Sequence, residues 1–442
     1  MLKKLTNSFL NAALFCGVLM TPTLLHATTL KDALQIALEN NPKLSSDRAK
    51  YMAFRQNQIV AFSASLPQVT AYARSSTNDT TTVNDFTGEE RSLVGQHRND
   101  SWGVNAKMDV FTSGKNASDI LQTRADIRAE KQSLVSSEQQ ILLGAVRAYL
   151  GVLRDEAVLS LREKNVEVLT RQYVSVKDQF EVGIVTRTDV AQSESRLELS
   201  QANLIRQKAA LAGSTAAFKE VIGQLPEGLE PPRALPELPG SLEEALDLGL
   251  RQSPVLRLSQ EQSSSADYAS YSAVAGSLPK VSLFGNYSVT EDPNRMKQGI
   301  EEEVTNFGIE VSMPIFTGGR SLATIRASQY VKNTTRLMVH AAQNQVEKEV
   351  TTSWHNFQAA SGEIEASTKQ IKAAEIALDG VRQERELGIR SILDLLDAEN
   401  ELLDARVALI EAERNQIVAA YSLLVSIGGL TANQIGLAAV EK

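Results

Sequence analysis

The chain repeats itself, and the repeat limits what it can fold into. Leu30-Lys-Asp-Ala-Leu34 resembles Leu242-Glu-Glu-Ala-Leu246, and Ser65-Leu-Pro-Gln-Val69 matches Ser277-Leu-Pro-Lys-Val281, in both cases 212 positions apart. Further on, Trp102-Gly-Val104 matches Phe307-Gly-Ile309 and Phe111-Thr-Ser-Gly114 matches Phe316-Thr-Gly-Gly319, now 205 apart. The first copy therefore holds seven extra residues between Val69 and Trp102, and such a length change belongs in an exposed loop. No proline lies between Pro67 and Pro226, and none follows Pro314. The cluster Pro226, Pro231, Pro232, Pro236 and Pro239 reads as an extended linker over 226–240. It separates one unit over 28–225 from a second over 241–430, with 431–442 as a tail.

Within each unit the proline-free stretches carry helical patterns. A short helix over Thr29 to Asn40 is followed by one that Pro42 starts and that runs to about Ser65. After Gly114 the pattern continues from about Ser118 to Phe180, roughly 95 Å at 1.5 Å per residue. The return helix places Val190, Leu197, Leu204, Leu211 and Phe218 at every seventh position, and Leu396, Leu403, Ile410, Ile417 and Leu424 do so in the second copy. A seven-residue period implies left-handed supercoiling against neighbours. The long helical hairpins then span about 118–222 and 320–427. These helices alone would equally suit a soluble coiled coil.

The helical hairpins turn at two equivalent places. In Glu386-Leu-Gly-Ile-Arg-Ser-Ile-Leu-Asp-Leu-Leu-Asp397, Gly388 suits the positive φ that ends a helix and Ser391 suits the cap of the next. Asp394 and Asp397 follow in the first turn, three apart and so on one face, where carboxylates suit the helix dipole. Glu181-Val-Gly-Ile-Val-Thr-Arg-Thr-Asp-Val190 is the same turn 205 positions earlier, with Asp189 on Asp394.

The segments between the helices have a different period. Trp102, Val104, Ala106, Met108 and Val110 alternate with Gly103, Asn105, Lys107 and Asp109; Phe307, Ile309, Val311 and Met313 alternate with Gly308, Glu310 and Ser312. Val69, Ala71 and Ala73 alternate with Thr70, Tyr72 and Arg74. Val281, Leu283, Tyr287 and Val289 alternate with Ser282, Asn286 and Ser288, though Phe284 and Gly285 blur that pattern. Period two over about ten residues is the length of a transmembrane strand. Each unit thus holds one β-hairpin, about 66–112 and 278–316, around the polar loops Asn78 to Asn99 and Glu291 to Asn306. A soluble hairpin with one buried face would show the same alternation. Two equivalent hairpins on very long helices favour the membrane. Four strands are too few for a barrel, whose smallest outer-membrane form has eight. An open edge in lipid leaves backbone groups unsatisfied at several kcal/mol each. The chain must then oligomerise.

Compartment follows from the N-terminus. Residues 1–27 read as a secretory signal, with Lys3 and Lys4 ahead of an apolar stretch from Phe9 to Leu25 and Ala27 at a cleavage position. The only cysteine, Cys16, lies inside it, so the mature chain has no thiol chemistry. No later stretch of 18 apolar residues offers a transmembrane helix. The formal net charge of −8 gives no support to nucleic-acid binding. No catalytic constellation, cofactor motif or metal-ligand spacing is visible: His97, His340 and His355 stand apart, and Gly318-Gly319 lacks a phosphate-binding context.

In these features the sequence resembles the TolC-type outer-membrane efflux family, the channel-tunnels of Gram-negative bacteria, over essentially the whole mature chain. The resemblance rests on Leu30 to Pro42, the Ser-Leu-Pro strand starts, the Phe-Thr-Ser-Gly and Phe-Thr-Gly-Gly turns and the two glycine-containing helical turns. It implies a mainly α, internally duplicated fold: a long coiled-coil α-barrel in the periplasm joined to a 12-stranded transmembrane β-barrel, built by a homotrimer with four strands per chain. It implies a passive outer-membrane exit duct, not an enzyme. The duct would be served by a periplasmic adaptor and an inner-membrane pump or the ABC transporter of type I secretion. The cargo, small toxic compounds or secreted proteins, is left open. The alternative is a soluble periplasmic coiled-coil interaction protein.

The family's gate residues fall position by position on this chain. The aspartates ringing the periplasmic entrance fall on Asp394 and Asp397, the gate arginine on Arg390, and its partners on the first hairpin on Thr188 and Asp189. The family tyrosine three residues before the glycine is Arg385 here, so its hydrogen-bond lock does not carry over intact. Adaptor tips in the family dock near the turns, here Val182, Gly183 and Ile184, and Leu387, Gly388 and Ile389. Glu386 and Glu399 are the next carboxylates that such a ring would draw on.

Overall fold

A computed structural model describes residues 28–79, 96–292, 299–432 and 434–437. The expected signal segment 1–27 and most of the Asn78–Asn99 loop lie outside the described residues. In chain order the elements are α1 (Leu30–Asn40), α2 (Pro42–Ser63), β1 (Gln68–Asp79), β2 (Gln96–Phe111), α3 (Lys115–Glu181) and α4 (Arg187–Ile222). The same series then recurs as α5 (Leu242–Gln252), α6 (Pro254–Ala275), β3 (Lys280–Glu291), β4 (Glu301–Ser312), α7 (Arg320–Glu386) and α8 (Ile392–Ser426).

Local chemistry sets the limits of these elements. Thr29 and Asp32 form a reciprocal capping box at the start of α1, and Asn41 caps α2 behind Pro42. Gly114 and Gly319, at φ 88° and 85°, turn the chain directly from strand into α3 and α7. Because of that turn α3 begins at Lys115 rather than near Ser118. Each of these two helices has 67 residues, about 100 Å of wall.

The strands form one antiparallel sheet in the order β1-β2-β3-β4. Its register sorts the side chains onto two faces. Lys107 reaches Glu310 across β3 at 3.5 Å, Ser282 Oγ donates to Asp109 at 2.6 Å, and Asn286 Nδ2 donates to Asn105 at 2.9 Å. Val104, Met108, Leu283, Ile309 and Val311 share the opposite face, with Trp102 packed edge-on against Tyr287 above them. An apolar outer band bordered by aromatic residues and a polar inner face is the pattern of a strand set in lipid. Both β1 and β4 are open edges.

The helices keep the same lateral order as the strands. Beside the sheet, α3 lies between α2 and α6, and α6 lies against α7; farther along, α4 and α8 take the places of α2 and α6. Two clusters hold this layer together. The larger lies midway, where α1 and α5 pack over the long helices and bury Leu34, Leu38, Tyr149, Phe218, Leu256 and Leu423. Tyr149 ties two distant segments there: its hydroxyl lies 2.7 Å from the carbonyls of both Thr28 and Glu230. Burial pushes its pKa up to about 12. The smaller cluster joins the two helical hairpins near their turns through Leu169, Val176, Leu197, Leu378, Leu395 and Leu396. The ten heptad positions of α4 and α8 are all buried or half-buried. Among the described residues no helix is long and apolar enough to cross a membrane.

Candidate functional site

The two turns are near copies of each other in three dimensions. At the end of α3, Gly183 takes φ 80°, its N–H donates to Phe180, and the Ile184 N–H donates to Gln179 at 2.9 Å. At the end of α7, Gly388 takes φ 76°, its N–H donates to Arg385, and the Ile389 N–H donates to Glu384 at 2.9 Å. Both are Schellman ends, which satisfy the last carbonyls of a helix by using a left-handed residue. Thr186 and Ser391 then start the return helices with capping boxes closed by Asp189 and Asp394.

These turns leave apolar side chains in the open. Val182, Ile184, Leu387 and Ile389 are 71%, 72%, 76% and 69% exposed. A short turn has no other element to bury them, and large apolar groups at a tip suit a protein partner better than water.

The charged residues behind the second turn divide their work. Asp394 accepts from the Ser391 hydroxyl at 2.8 Å and from its backbone N–H at 2.9 Å. Those bonds, with Arg390 nearby, hold its carboxyl below the usual aspartate range. Arg390 lies 2.8 Å from Glu384 and 4.0 Å from Asp394. Within the protomer its partners are therefore on its own hairpin, and Asp189 is engaged by Thr186 while Thr188 is exposed. Asp397 stands one turn on from Asp394 and pairs with Arg196 of α4 at 2.6 Å. Glu399 is 8% exposed, accepting from Gln172 of α3 at 2.6 Å and Arg382 of α7 at 3.3 Å. It braces the two hairpins. Arg385 and Glu386 border an open cleft of about 580 Å³ between α3 and α7. Arg196, Gln172 and Arg382 are the functional neighbours that sequence reading does not reach. Arg196 sits 201 positions from Asp397 and Gln172 227 from Glu399, with no motif to link them.

Comparison with known proteins bears on the whole chain. The family model described as outer membrane efflux protein matches residues 33–224 and 245–429, one match for each copy of the repeat. The outer membrane efflux protein BepC of Brucella suis is 30% identical over 426 residues, covering 96% of this chain and 91% of its own. The outer membrane protein TolC of Vibrio cholerae is 26% identical, covering 98% and 97%. The solved CmeC outer membrane channel of Campylobacter jejuni shares the fold at a TM-score of 0.79 and 17% identity, covering 90% of this chain and 85% of that one. With both copies matched and the open-edged sheet in place, this chain belongs to the outer membrane efflux protein family.

Proposed function

We propose that the protein is the outer-membrane exit duct of a tripartite exporter, gated at its helical turns. It is an outer-membrane efflux channel, with the sheet in the membrane and the helices reaching through the periplasm. The soluble coiled-coil alternative leaves the apolar sheet face and the two open edges without a role. The observation that carries the duct is that one lateral order of elements runs from β-sheet to helical layer. A ring closed through β1 and β4 is then also closed through α2 and α7. Exposed Leu337 and Met338 on α7, and Ile59 and Phe62 on α2, suit burial against the next copy. Three copies give 12 strands, with residues 28–225 and 241–430 of each contributing one hairpin pair apiece.

At the periplasmic end, threefold symmetry gathers Asp394 and Asp397 around the axis. Six like charges there favour cations, and multivalent ones most. Arg390 faces Thr188 and Asp189 of a neighbouring hairpin and holds the entrance narrow, while Glu384 and Asp394 orient it from its own hairpin. A periplasmic adaptor docks on Val182–Ile184 and Leu387–Ile389, joining the duct to an inner-membrane pump or ABC transporter. The cargo is small toxic compounds, secreted proteins or both. Cross-linking tests the assignment: a photoreactive residue at Ile184 or Leu387 is expected to capture a periplasmic adaptor from intact cells. The same group at Tyr271, exposed on the wall near the sheet, is expected not to. Equal capture at all three positions would remove the turns as the docking site.

A further inference from the structure

Two aromatic residues stand on the wrong face of the sheet. The polar face carries Asn105, Lys107, Asp109, Ser282, Asn286 and Glu310, and the register places Tyr72 and Phe284 among them. Each lies directly opposite a glycine on the next strand: Tyr72 pairs with Gly103, and Phe284 with Gly308. The arrangement is duplicated. Tyr72 and Phe284 are 212 positions apart and Gly103 and Gly308 are 205 apart, the two spacings of the internal repeat. Neither glycine has a positive φ, so backbone conformation does not demand it.

Space does. A Cβ at Gly308 would fall 2.8 Å from Phe284 Cζ and 3.1 Å from Cε1. A Cβ at Gly103 would fall 2.9 Å from the Tyr72 hydroxyl oxygen and 3.0 Å from Cζ. Each ring therefore leans across the strand gap and rests on bare backbone. This covers the glycine and hides an apolar ring that a polar lumen would otherwise expose.

We infer that Tyr72 and Phe284 form a collar of six rings lying flat on the wall of the trimeric β-barrel, and that Gly103 and Gly308 position them there and so set its bore. The inference rests on the family's barrel and on the polar face being lumenal. A side chain at either glycine lifts the ring off the wall and into the conduction path. Gly308 is the cleaner position to probe, because a Cβ at Gly103 would also meet the Tyr287 carbonyl oxygen at 2.5 Å.

The chain's single cysteine, Cys16, lies in the expected signal segment, so an introduced thiol can be read alone. Ser312 ends β4 on the polar face, beyond both rings from the extracellular side. Ser312→Cys trimers on intact cells are treated with a small maleimide and with maleimide-capped polyethylene glycols of increasing size. The small reagent is expected to label the parent; failure to do so would overturn the lumenal assignment and the collar with it. Adding Gly308→Ala is expected to abolish labelling by the largest reagent that reaches the parent, while the small reagent still reacts. Adding Phe284→Ala to that variant is expected to restore it. Unchanged labelling of assembled Gly308→Ala trimers, or no recovery on removing the ring, overturns the collar. Should Gly308→Ala not assemble, Phe284→Ala alone decides: a larger size cut-off supports a ring bordering the bore, and an unchanged one rejects it.

Discussion

Arg196 of α4 holds Asp397 of α8 through one hydrogen-bonded ion pair, 2.6 Å long, between the two helical hairpins. Both side chains keep substantial contact with solvent, and exposed pairs contribute only about 0–1 kcal/mol. The pair is therefore a brake on the charge of Asp397 more than a structural brace. Arg196→Ala is expected to leave trimer stability almost unchanged and to strengthen block by multivalent cations in planar-bilayer recordings. Asp394→Ala combined with Asp397→Ala is expected to weaken cation selectivity and multivalent block together. Full block in the double variant would move the ring elsewhere.

Arg390→Ser removes a cation that pairs with Glu384 and lies near Asp394 without altering the aspartates. The expected result is a higher resting conductance of purified trimers with cation selectivity kept. An unchanged resting conductance would mean that the entrance is closed by other contacts.

The Asp394 carboxyl is held below its ordinary pKa by Ser391. A group whose folded pKa is depressed contributes stability above its unfolded value, about 3.9, and loses it as pH falls through the lower folded value. The second hairpin is thus expected to keep its cap through mildly acidic conditions and to lose it only at strongly acid pH. Ser391→Ala should raise the Asp394 titration midpoint, read by carboxyl NMR. An unmoved midpoint would assign the shift to Arg390 instead.

The strand faces carry a sharp asymmetry. Ile309→Arg, on the apolar face, is expected to cost about 2–4 kcal/mol if the residue sits near mid-bilayer, while Glu310→Arg is tolerated. Yield of heat-resistant trimers in outer membranes measures both. Equal yields would overturn the assignment of faces.

Tyr149→Phe deletes the hydroxyl shared by Thr28 and Glu230 and leaves part-buried carbonyls without that donor. A loss of about 1–3 kcal/mol is expected for such unsatisfied groups. It should appear as earlier thermal dissociation of the trimer, with conductance of the surviving channels unchanged.

Much of this was legible in the sequence because it depends on local chemistry. Gly183 and Gly388 end helices whatever surrounds them, and Thr186 and Ser391 cap the next ones through a carboxylate three residues on. Period-two alternation likewise shows the two faces of each strand. What was hidden depends on partners distant in the chain. Phe284 looks like noise in an alternating strand until the register sets it over Gly308. Glu399 reads as one more helix charge, yet packing buries it between Gln172 and Arg382. Asp397 could be placed on its face from spacing, but Arg196 could not be named as its partner.

The two free edges of the sheet have a genetic consequence. Each trimer is closed by three identical seams, and each seam joins β4 of one copy to β1 of the next. A chain with a damaged edge still offers its sound edge to a neighbour, and so enters the ring and leaves it open. In a cell making equal amounts of damaged and intact chains, about one trimer in eight would be free of the defect if assembly is random. Lesions in β1 or β4 should therefore behave as dominant, whereas lesions that stop the chain from folding at all should be recessive.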